Sequence, residues 1–466
     1  MQEFLLLMKH ELSLIAILVI LLILKIRETG ESSGIVRTMS ILWLLNCLGG
    51  WFFNSSGQLF GHMFVNNELF AFEKNILNTG VLIIFLMSES WLKKNEHVYE
   101  FYMLCIASLL GMFYMISSGN ILMFYLSLEL SSIPLAALCN WNLKDRRSSE
   151  AGMKMIFSSA FASGLMLMGI SLLYGAIGSF DFQMMASNPV SSMLYIPGFI
   201  FFFSGLAFKL SVVPFHFWTA DVYEGAPSAV TAFLSVISKG ATVFVLATVL
   251  YHVFRVFSSG WYLMLCVLSV ASMVVGNLFA IRQISLQRFM AFSSIAQVGF
   301  ILVGISGSSN EGMASSIYFV LVYLFSNLAA FAVIGYLKDM KKETIDDCRG
   351  LSKSNPLLAW TFAIALFSLA GIPPTAGFFG KLFLLKAGAS TGNYVLILIA
   401  AANMIVSLYY YLRIIKAIFI DDAGAVTPFR VEGAIRFAIF ICMAGVILTG
   451  FFGVLYNYIY SLSSGL

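Results

Sequence analysis

FIFFFSGLAFKLSVVPFHFW, residues 199–218, is an apolar run that contains one lysine, Lys209, and one proline, Pro214. The apolar segment around it extends from Tyr195 to about Tyr223, well over the ~20 residues that cross a bilayer. Proline removes a backbone donor and clashes with the preceding helical turn. A charged side chain near the bilayer centre costs at least about 2.5 to 3.5 kcal/mol on insertion scales. The run therefore predicts a membrane helix that breaks next to a functional ionisable group.

A second apolar stretch has the same features. SLAGIPPTAGFFGKLFLL, residues 368–385, contains Pro373, Pro374 and Lys381 inside another segment longer than about 30 residues. The two segments are predicted as spans 7 and 12, which are five spans apart and therefore cross the membrane in opposite directions. Interrupted helices in corresponding positions of two halves indicate an inverted-repeat transporter with an ion site near the midplane.

The composition supports a polytopic membrane protein throughout. The chain has 466 residues, of which 60% are hydrophobic and only 11% are charged, whereas soluble domains average about 25% charged residues. The first apolar stretch, Leu12 to Leu24, has charges on both sides and no small-residue cleavage site after it. We therefore interpret it as an uncleaved first span and not as a signal peptide.

The basic residues predict the orientation. Windows of about 20 apolar residues give fourteen candidate spans. The loops after odd-numbered spans contain 20 of the 27 lysine and arginine residues, and Lys9, Lys74, Arg255 and Lys386 fall on the other side. The remaining three are the lysines inside apolar segments. The positive-inside rule then places both termini outside.

The sequence contains no pattern for a cofactor or a metal. The six cysteines form no CxxC pair and have no neighbouring histidine, so neither a zinc site nor an iron–sulfur ligand set is predicted. The glycine-rich patterns of nucleotide-binding loops are also missing from the sequence. We expect no redox centre, cofactor or metal on this chain.

Two further charged residues lie deep in apolar segments. Glu129 is in NILMFYLSLELSSIPLAALC, residues 120–139, and Lys239 is in VTAFLSVISKGATVFVL, residues 230–246. At 1.5 Å per residue they lie about 14 and 18 Å from the ends of their spans. An ammonium and a carboxylate brought together there change one another's proton affinity, which a proton relay requires. A static buried ion pair is the alternative, although three lysines cannot all be neutralised by Glu129.

Three polar residues near the break in span 7 are weaker candidates. His216 follows Pro214, and an unperturbed pKa near 6.5 suits proton handling, although a histidine beside aromatic residues is often only packed. Asp221 and Glu224 are expected near the cytoplasmic mouth. Acidic residues at such a mouth can serve proton entry, or they can simply be solvated or cap the next helix.

The segments that carry these charges resemble a known family. The similarity is carried by LELSSIPLAAL (128–138), EAGMKMIFSSAFASGLMLMGISLLYGAIGS (150–179), LAFKLSVVPFHFWTADVYEGAPSAVTAFLSVISKGA (206–241) and SLAGIPPTAGFFGKLFLL (368–385). They resemble the antiporter-like membrane subunits of respiratory complex I. Within that family the DVYEGAP element and the Ser-Lys pair in span 8 resemble the subunit N group, which includes mitochondrial subunit 2, more than subunits L and M. The lysine at 381 argues against subunit M.

The resemblance implies an all-α polytopic fold of 14 transmembrane helices, with two inverted five-helix repeats and discontinuous helices 7 and 12. It implies one membrane domain over 1–466, with N-terminal helices at about 1–115, a first repeat at 99–256, a second repeat at 261–420 and a C-terminal helix at 430–466. It also implies a location in the bacterial inner membrane.

The resemblance also assigns roles to residues. Glu129 matches the helix 5 glutamate that pairs with the helix 7 lysine, here Lys209. Lys239 matches the central helix 8 lysine, and Lys381 matches the helix 12 lysine on the exit side. Gln297 stands where many relatives have histidine, so water or a different side chain would have to bridge the helix 8 and helix 12 lysines there.

The implied function is proton translocation within a proton-pumping NADH:quinone oxidoreductase, an enzyme complex of which this chain is a subunit. Flavin, iron–sulfur clusters and quinone would be held by other subunits. The expected partners are the other antiporter-like and small membrane subunits, the peripheral redox arm and the lipid bilayer; no nucleic acid is expected.

Two alternatives remain open at the level of sequence. The large subunits of multi-subunit sodium/proton antiporters resemble this family and share its lysines. A structural scaffold that only anchors a redox arm is the other possibility. The sequence leaves open the electron donor, the quinone type, the number of protons moved and whether sodium is carried.

Overall fold

The computed structural model describes residues 2–27, 32–187, 192–421, 427–431, 433–451 and 453–465. These residues are predominantly helical, with one small antiparallel hairpin. The first elements are α1 (Gln2–Leu7), α2 (Lys9–Ile26), α3 (Ser32–Gly50), β1 (Gly57–Leu59), β2 (Phe64–Asn66), α4 (Glu68–Met87), α5 (Glu89–Leu92), α6 (Val98–Ile116), α7 (Ile121–Cys139), α8 (Arg146–Ile177), α9 (Phe182–Ser187) and α10 (Tyr195–Leu210).

The remaining elements follow the first proline break. They are α11 (Phe217–Gly225), α12 (Ser228–Ala232), a π-helical turn (Phe233–Ser238), α13 (Lys239–Thr248), a second π-helical turn (Val249–Val253), a 3-10 turn (Arg255–Phe257), α14 (Ser258–Arg282), α15 (Leu286–Ser306), α16 (Asn310–Asp339), a 3-10 turn (Asp346–Cys348), α17 (Leu351–Ser354), α18 (Pro356–Ala370), α19 (Ala376–Ala389), α20 (Tyr394–Phe419), α21 (Ala434–Phe451) and α22 (Gly453–Ser463).

The described residues contain 10 helical segments that are long and apolar enough to cross a membrane. They are α4, α6, α7, α8, Ser228–Val253, Arg255–Arg282, α15, α16, α20 and α21. Two shorter apolar helices, α10 and α18, each end at an interruption. Helices of this number and length define a multi-pass membrane protein.

The first interruption lies where Pro214 predicts it. Helix α10 ends at Leu210, and Ser211 has φ of 61°, in the left-handed region that stops an α-helix. Pro214 follows three residues later, and α11 resumes at Phe217. The free amide of Val213 donates to Ser272 Oγ at 3.1 Å, which satisfies a backbone group that the break leaves without a helical partner.

The second interruption has the same local plan. Helix α18 ends at Ala370, Gly371 has φ of 86°, and Pro374 follows three residues later, before α19 resumes at Ala376. The Gly371 amide donates to carbonyl oxygens in the last turn of α18, at 3.0 Å from Phe367 and 3.0 Å from Ser368. Glycine suits this position because it adopts a positive φ without a steric cost.

The chain forms two compact units. The first comprises Met1–Leu82, Leu92–Leu210 and Ile237–Trp261. Within it α6 packs on α7, and α8 packs on both α7 and α10. Small residues allow close backbone approach: a Cβ on Gly169 of α8 would lie 2.3 Å from the Phe202 amide nitrogen.

The second unit comprises Ile83–Trp91, Ser211–Val236 and Tyr262–Leu466. Helices α15 and α16 form its centre and pack against α11, α18, α19 and α21. The apolar window of α15 is 100% buried inside the protein. The polar side chains of Ser293, Ser294 and Gln297 on α15 are therefore enclosed by protein.

Candidate functional site

Lys209 is buried in the last turn of α10 and is 5% exposed. Its Nζ atom lies 3.3 Å from Ser131 Oγ of α7, a neutral acceptor. The carbonyl end of a helix carries a partial negative charge that stabilises a nearby cation. The break after Leu210 thus places an ammonium at a helix terminus inside the apolar first unit.

Glu129 lies on α7 and is half-buried. Its Oε1 atom accepts a short hydrogen bond from Ser163 of α8. Ser132, Ser159, Ser163, Lys209 and apolar side chains line a narrow crevice beside this bond. Among the described contacts, Glu129 and Lys209 each bond a serine, and no direct ion pair links them. Hydroxyl groups therefore surround both charges.

Lys239 is the first residue of α13 and is 3% exposed. A π-helical turn over Phe233–Ser238 precedes it. Such turns insert an extra residue into a helix and occur frequently at functional sites. Helix α13 packs on α6 and α10 within the first unit, so Lys239 is enclosed by helices.

Lys381 is 1% exposed and lies on α19, after the second break. Its Nζ atom donates to the carbonyl oxygens of Leu369 at 2.8 Å and Ala370 at 3.1 Å. These two carbonyls form the end of α18, where the helix dipole favours a cation. The ring of Phe300 lies 4.7 Å from the ammonium. These three groups therefore stabilise the lysine without a carboxylate.

The side chain of Gln297 on α15 is 1% exposed and reaches the same end of α18 as Lys381. Its Nε2 atom donates to the Leu369 carbonyl at 2.9 Å and to the Tyr411 hydroxyl at 3.0 Å. Tyr411 in turn lies 2.6 Å from Ser293 Oγ. This hydroxyl chain leads away from the lysine site through the centre of the second unit, and we did not predict it from the sequence.

Asp221 and Glu224 are joined by a residue that we did not single out from the sequence. Arg288 Nη1 of α15 lies 2.7 Å from Asp221 Oδ1 and 2.9 Å from Glu224 Oε2. The three side chains are about 30% exposed. His216 lies nearby in sequence, before α11, where it is buried, and its ring centre lies 4.5 Å from that of Phe217, with the ring planes tilted by 32°. Its Nδ1 atom has no hydrogen-bond partner in the described parts of the chain.

The expectation for Lys74 is wrong. The span windows place it among the outward loop residues, but it lies inside α4 and is 0% exposed. Its Nζ atom is 2.6 Å from Glu11 Oε1 of α2, which is equally buried. The two residues are 63 positions apart, so only the fold brings them together. The described residues contain a fourth buried lysine and a buried carboxylate that sequence windows could not pair.

The described residues contain no group of three or more His, Cys, Asp or Glu side chains that could hold a metal ion. The six cysteines are free and buried. The chemistry that the described sites offer is the binding and release of protons by lysine, glutamate and hydroxyl groups.

Together, the apolar helices, the two interruptions and the enclosed lysines define a multi-pass membrane protein with ionisable side chains buried among its helices. A family model described as "NADH:quinone oxidoreductase/Mrp antiporter, TM" matches residues 118–407. The chain belongs to this family of membrane subunits.

Comparison with individual relatives narrows the assignment within this family. The chain is 45% identical to NADH-quinone oxidoreductase subunit N of Azobacteroides pseudotrichonymphae, over 98% of this chain and 97% of that protein. It is 41% identical to the subunit of the same name from Phocaeicola vulgatus, over 97% of each chain.

Solved structures share the fold. A chain of respiratory complex I from Thermus thermophilus with bound aureothin matches with a TM-score of 0.80 and 28% identity, over 96% of this chain and 98% of that one. A chain of the Mrp complex from Dietzia sp. matches with a TM-score of 0.88 over 100% and 98% of the two chains, but at 20% identity. The latter likeness concerns the fold alone.

Proposed function

We propose that this chain is the proton-translocating membrane subunit of a proton-pumping NADH:quinone oxidoreductase. The observation that carries the proposal is the environment of Lys381, a buried lysine at a helix break that is held by neutral peptide oxygens. The chain is also 45% identical to a subunit N over 98% of its length.

The acceptors of the buried lysines matter for this function. A buried ammonium with a carboxylate partner is fixed in its charged form by that partner. Lys209 and Lys381 instead donate to a hydroxyl and to carbonyls, respectively. Neutral acceptors stabilise the protonated form less than a counter-charge does, so a modest change in nearby charge can shift the proton. This is the property that a transfer site requires.

In the proposed mechanism, redox chemistry in other subunits changes the charge state of Glu129 and Lys209. That change alters the proton affinity of Lys239, and Lys381 releases a proton to the outer side. Lys209 holds its proton at Nζ against Ser131 Oγ, and Glu129 Oε1 can receive one along the Ser163 hydroxyl. The proposal also assigns His216 as an additional proton carrier, because its buried Nδ1 has no partner in the described residues.

The finer architecture is part of the proposal. Ten spans, the two interrupted helices and the apolar helices α2 and α3 would together give 14 crossings. In both breaks a residue with positive φ, Ser211 or Gly371, precedes a proline by three positions. This shared plan supports two inverted repeats, at 99–256 and 261–420. The charge distribution supports both termini outside, and the similarity to bacterial subunits N supports a location in the bacterial inner membrane.

The proposed partners are the other membrane subunits of the complex and its peripheral redox arm. Flavin, iron–sulfur clusters and quinone are assigned to those subunits. The alternative, a large subunit of a multi-subunit sodium/proton antiporter, rests on fold likeness to the Mrp complex at 20% identity. The 41–45% identity to subunits N favours the oxidoreductase.

The test uses the intact complex in inside-out membrane vesicles. Lys209→Ala and Lys239→Ala should reduce NADH-driven acidification several-fold while the complex still assembles. Lys386→Ala is the matched control, because Lys386 is 64% exposed and pairs with Glu311 at the surface. Full pumping and full activity in both variants would falsify the relay.

Affinity purification separates the alternatives. Flavin and iron–sulfur subunits that copurify with the tagged chain support the oxidoreductase assignment. Only small hydrophobic partners would support the antiporter. Wild-type pumping by a copurified complex after the loss of Lys209, Lys239 and Lys381 would indicate a scaffold.

A further inference from the structure

The N-terminal helices contain a second group of buried charges, separate from the lysines at the helix breaks. Glu11 of α2 and Lys74 of α4 form an ion pair of 2.6 Å, and both side chains are 0% exposed. Lys74 also donates to Asn66 Oδ1 at 3.3 Å and lies 5.2 Å from the ring centre of Phe64. The ammonium is thus fully enclosed and fully partnered.

Glu73 precedes Lys74 in α4 and is 0% exposed. Neither of its carboxylate oxygens has a hydrogen-bond partner within the described residues. An ionised carboxylate buried without a bonded partner is strongly disfavoured, and such groups are usually neutral. Glu73 is therefore an unpartnered acid directly beside a pair that already balances its own charges.

The other ionisable and polar groups near the pair are few. His10 of α2 contacts Asn75 through Nε2 at 3.2 Å, and its ring packs against Phe113 of α6. Lys9 donates to the Gly50 carbonyl at 2.9 Å and to Asn54 Oδ1 at 2.7 Å. Tyr114 of α6 is within electrostatic range of Glu11.

The fully buried acidic and basic groups in this cluster do not balance in number. Two carboxyl groups, Glu11 and Glu73, share one enclosed ammonium, Lys74. A second positive charge on His10 is disfavoured by its burial and by the like charges of Lys74 and Lys9. Neutrality of the buried group then requires one additional proton on a carboxyl.

We propose that Glu11, Glu73 and Lys74 form a second proton-binding site, which holds one exchangeable proton, chiefly as the carboxylic acid of Glu73. Glu11 is the third residue of α2, and Glu73 is the sixth residue of α4. At 1.5 Å per residue, Glu73 lies about 8 Å from the start of α4. The site therefore exchanges with the membrane face at which α2 and α4 begin, which the basic residues predict to be the outer face.

The experiment is carbodiimide labelling of the assembled complex in sealed membranes, read by mass spectrometry of the peptides. Carbodiimides react with protonated carboxyl groups in apolar surroundings. Glu68, exposed at the start of the same helix, is the internal control. We expect labelling of Glu73 to exceed that of Glu68 by at least about tenfold at neutral pH, because a solvated glutamate is almost wholly ionised there.

Two substitutions and two changes of condition test which carboxyl group is labelled and from which side of the membrane. Glu73→Gln should remove the label from this peptide, and Lys74→Met should add label at Glu11, whose counter-charge is gone. In sealed vesicles of opposite orientation, labelling should follow the pH on the side where α4 begins. Protection by sodium chloride but not by choline chloride at constant pH would overturn the proton assignment and indicate a sodium ion.

Infrared spectroscopy provides a second measurement in case the carbodiimide does not reach Glu73. The infrared band of protonated carboxylic acid should be weaker in Glu73→Gln than in the wild-type complex. Equal label at Glu73 and Glu68, or no label together with no infrared difference, would overturn the proposal. The outcome is independent of the pumping test, because Glu73 can hold a proton whether or not Lys209 and Lys239 support transport.

Discussion

Gln297 and Lys381 donate to one and the same peptide oxygen. The Leu369 carbonyl lies 2.9 Å from Gln297 Nε2 and 2.8 Å from Lys381 Nζ. The sequence suggests that water or another side chain must replace the histidine that many relatives have at position 297. At the Lys381 end, a backbone carbonyl accepts hydrogen bonds from both side chains.

The first prediction concerns Gln297. Gln297→Leu removes the donor to Leu369 and to the Tyr411 hydroxyl, which should cost about 1–3 kcal/mol of stability and reduce pumping. Gln297→His should keep a donor to Leu369 and pump, with a pH dependence near the histidine pKa of about 6.5 that the wild type lacks. Gln183→Leu, at an exposed position of α9, is the control. Pumping is measured in vesicles between pH 5.5 and 8.

A Gln297→Leu variant with the stability and pumping of Gln183→Leu would contradict this prediction. It would show that the shared carbonyl contributes to neither property.

The second prediction separates charge from packing at Lys381. Lys381→Met keeps most of the side-chain volume and removes an ammonium whose burial is costly, so the complex should assemble with unchanged thermal stability. NADH-driven acidification should fall several-fold. Lys386→Met, five residues later on the surface, should leave both properties unchanged. Loss of assembly with Lys381→Met would mean that the lysine serves structure and not transfer.

The third prediction concerns the close approach at the second break. A Cβ on Gly377 would lie 1.7 Å from the Ser368 carbonyl oxygen, a backbone atom that cannot move freely. Gly377→Ala should therefore destabilise the protein by about 1–3 kcal/mol through overpacking. Gly34→Ala on α3 is the matched control, because nothing lies within 4 Å of its added Cβ. The amount of assembled complex and its thermal midpoint report the difference, and equal values for the two variants would refute the prediction.

The fourth prediction concerns the loop between α16 and α17. Asp347 Oδ2 accepts hydrogen bonds from the Thr344 amide at 2.8 Å, the Thr344 hydroxyl at 2.6 Å and the Glu343 amide at 3.1 Å. Partial burial alone would raise the pKa of Asp347, but these hydrogen bonds lower it below its usual value. Because the folded pKa is below the unfolded one, the contribution of the carboxylate is complete above about pH 4 and is lost as the pH falls through the folded pKa.

Asp347→Asn should weaken the loop by no more than about 1 kcal/mol, since the carboxylate is exposed. Amide hydrogen exchange of the 343–348 segment at pH 7 should accelerate up to about fivefold, and the difference from the wild type should vanish in acid. Asp346→Asn removes only the exposed pair with Arg349 and should have a smaller effect. Identical exchange in both variants at pH 7 would contradict the assignment.

The sequence predicts the features that depend on local chemistry. Pro214 and Pro374 mark the two interruptions because proline cannot continue a helix, whatever surrounds it. Lys209, Lys239 and Lys381 are buried as expected because their neighbours along the chain are apolar on every side. Each of these predictions needs only a window of about 20 residues.

Features that join distant segments could not be predicted in this way. Lys74 appeared to be a loop residue because its ion-pair partner, Glu11, lies on another helix. By sequence, Arg288 is one of the 20 basic residues in the loops after odd-numbered spans, although the fold makes it bridge Asp221 and Glu224. The carbonyl acceptors of Lys381 have no signature at all, since every residue carries a peptide oxygen.

The peptide oxygens at the end of α18 also affect how this site tolerates mutation. A substitution at Leu369 or Ala370 changes a side chain but leaves the acceptor for Lys381 in place. Random mutagenesis should therefore return hits at the lysine and few at its acceptors, so that a genetic screen would record a lone functional residue. The acceptor can be altered only by replacing the peptide link itself, for example with an ester, or by moving the end of the helix.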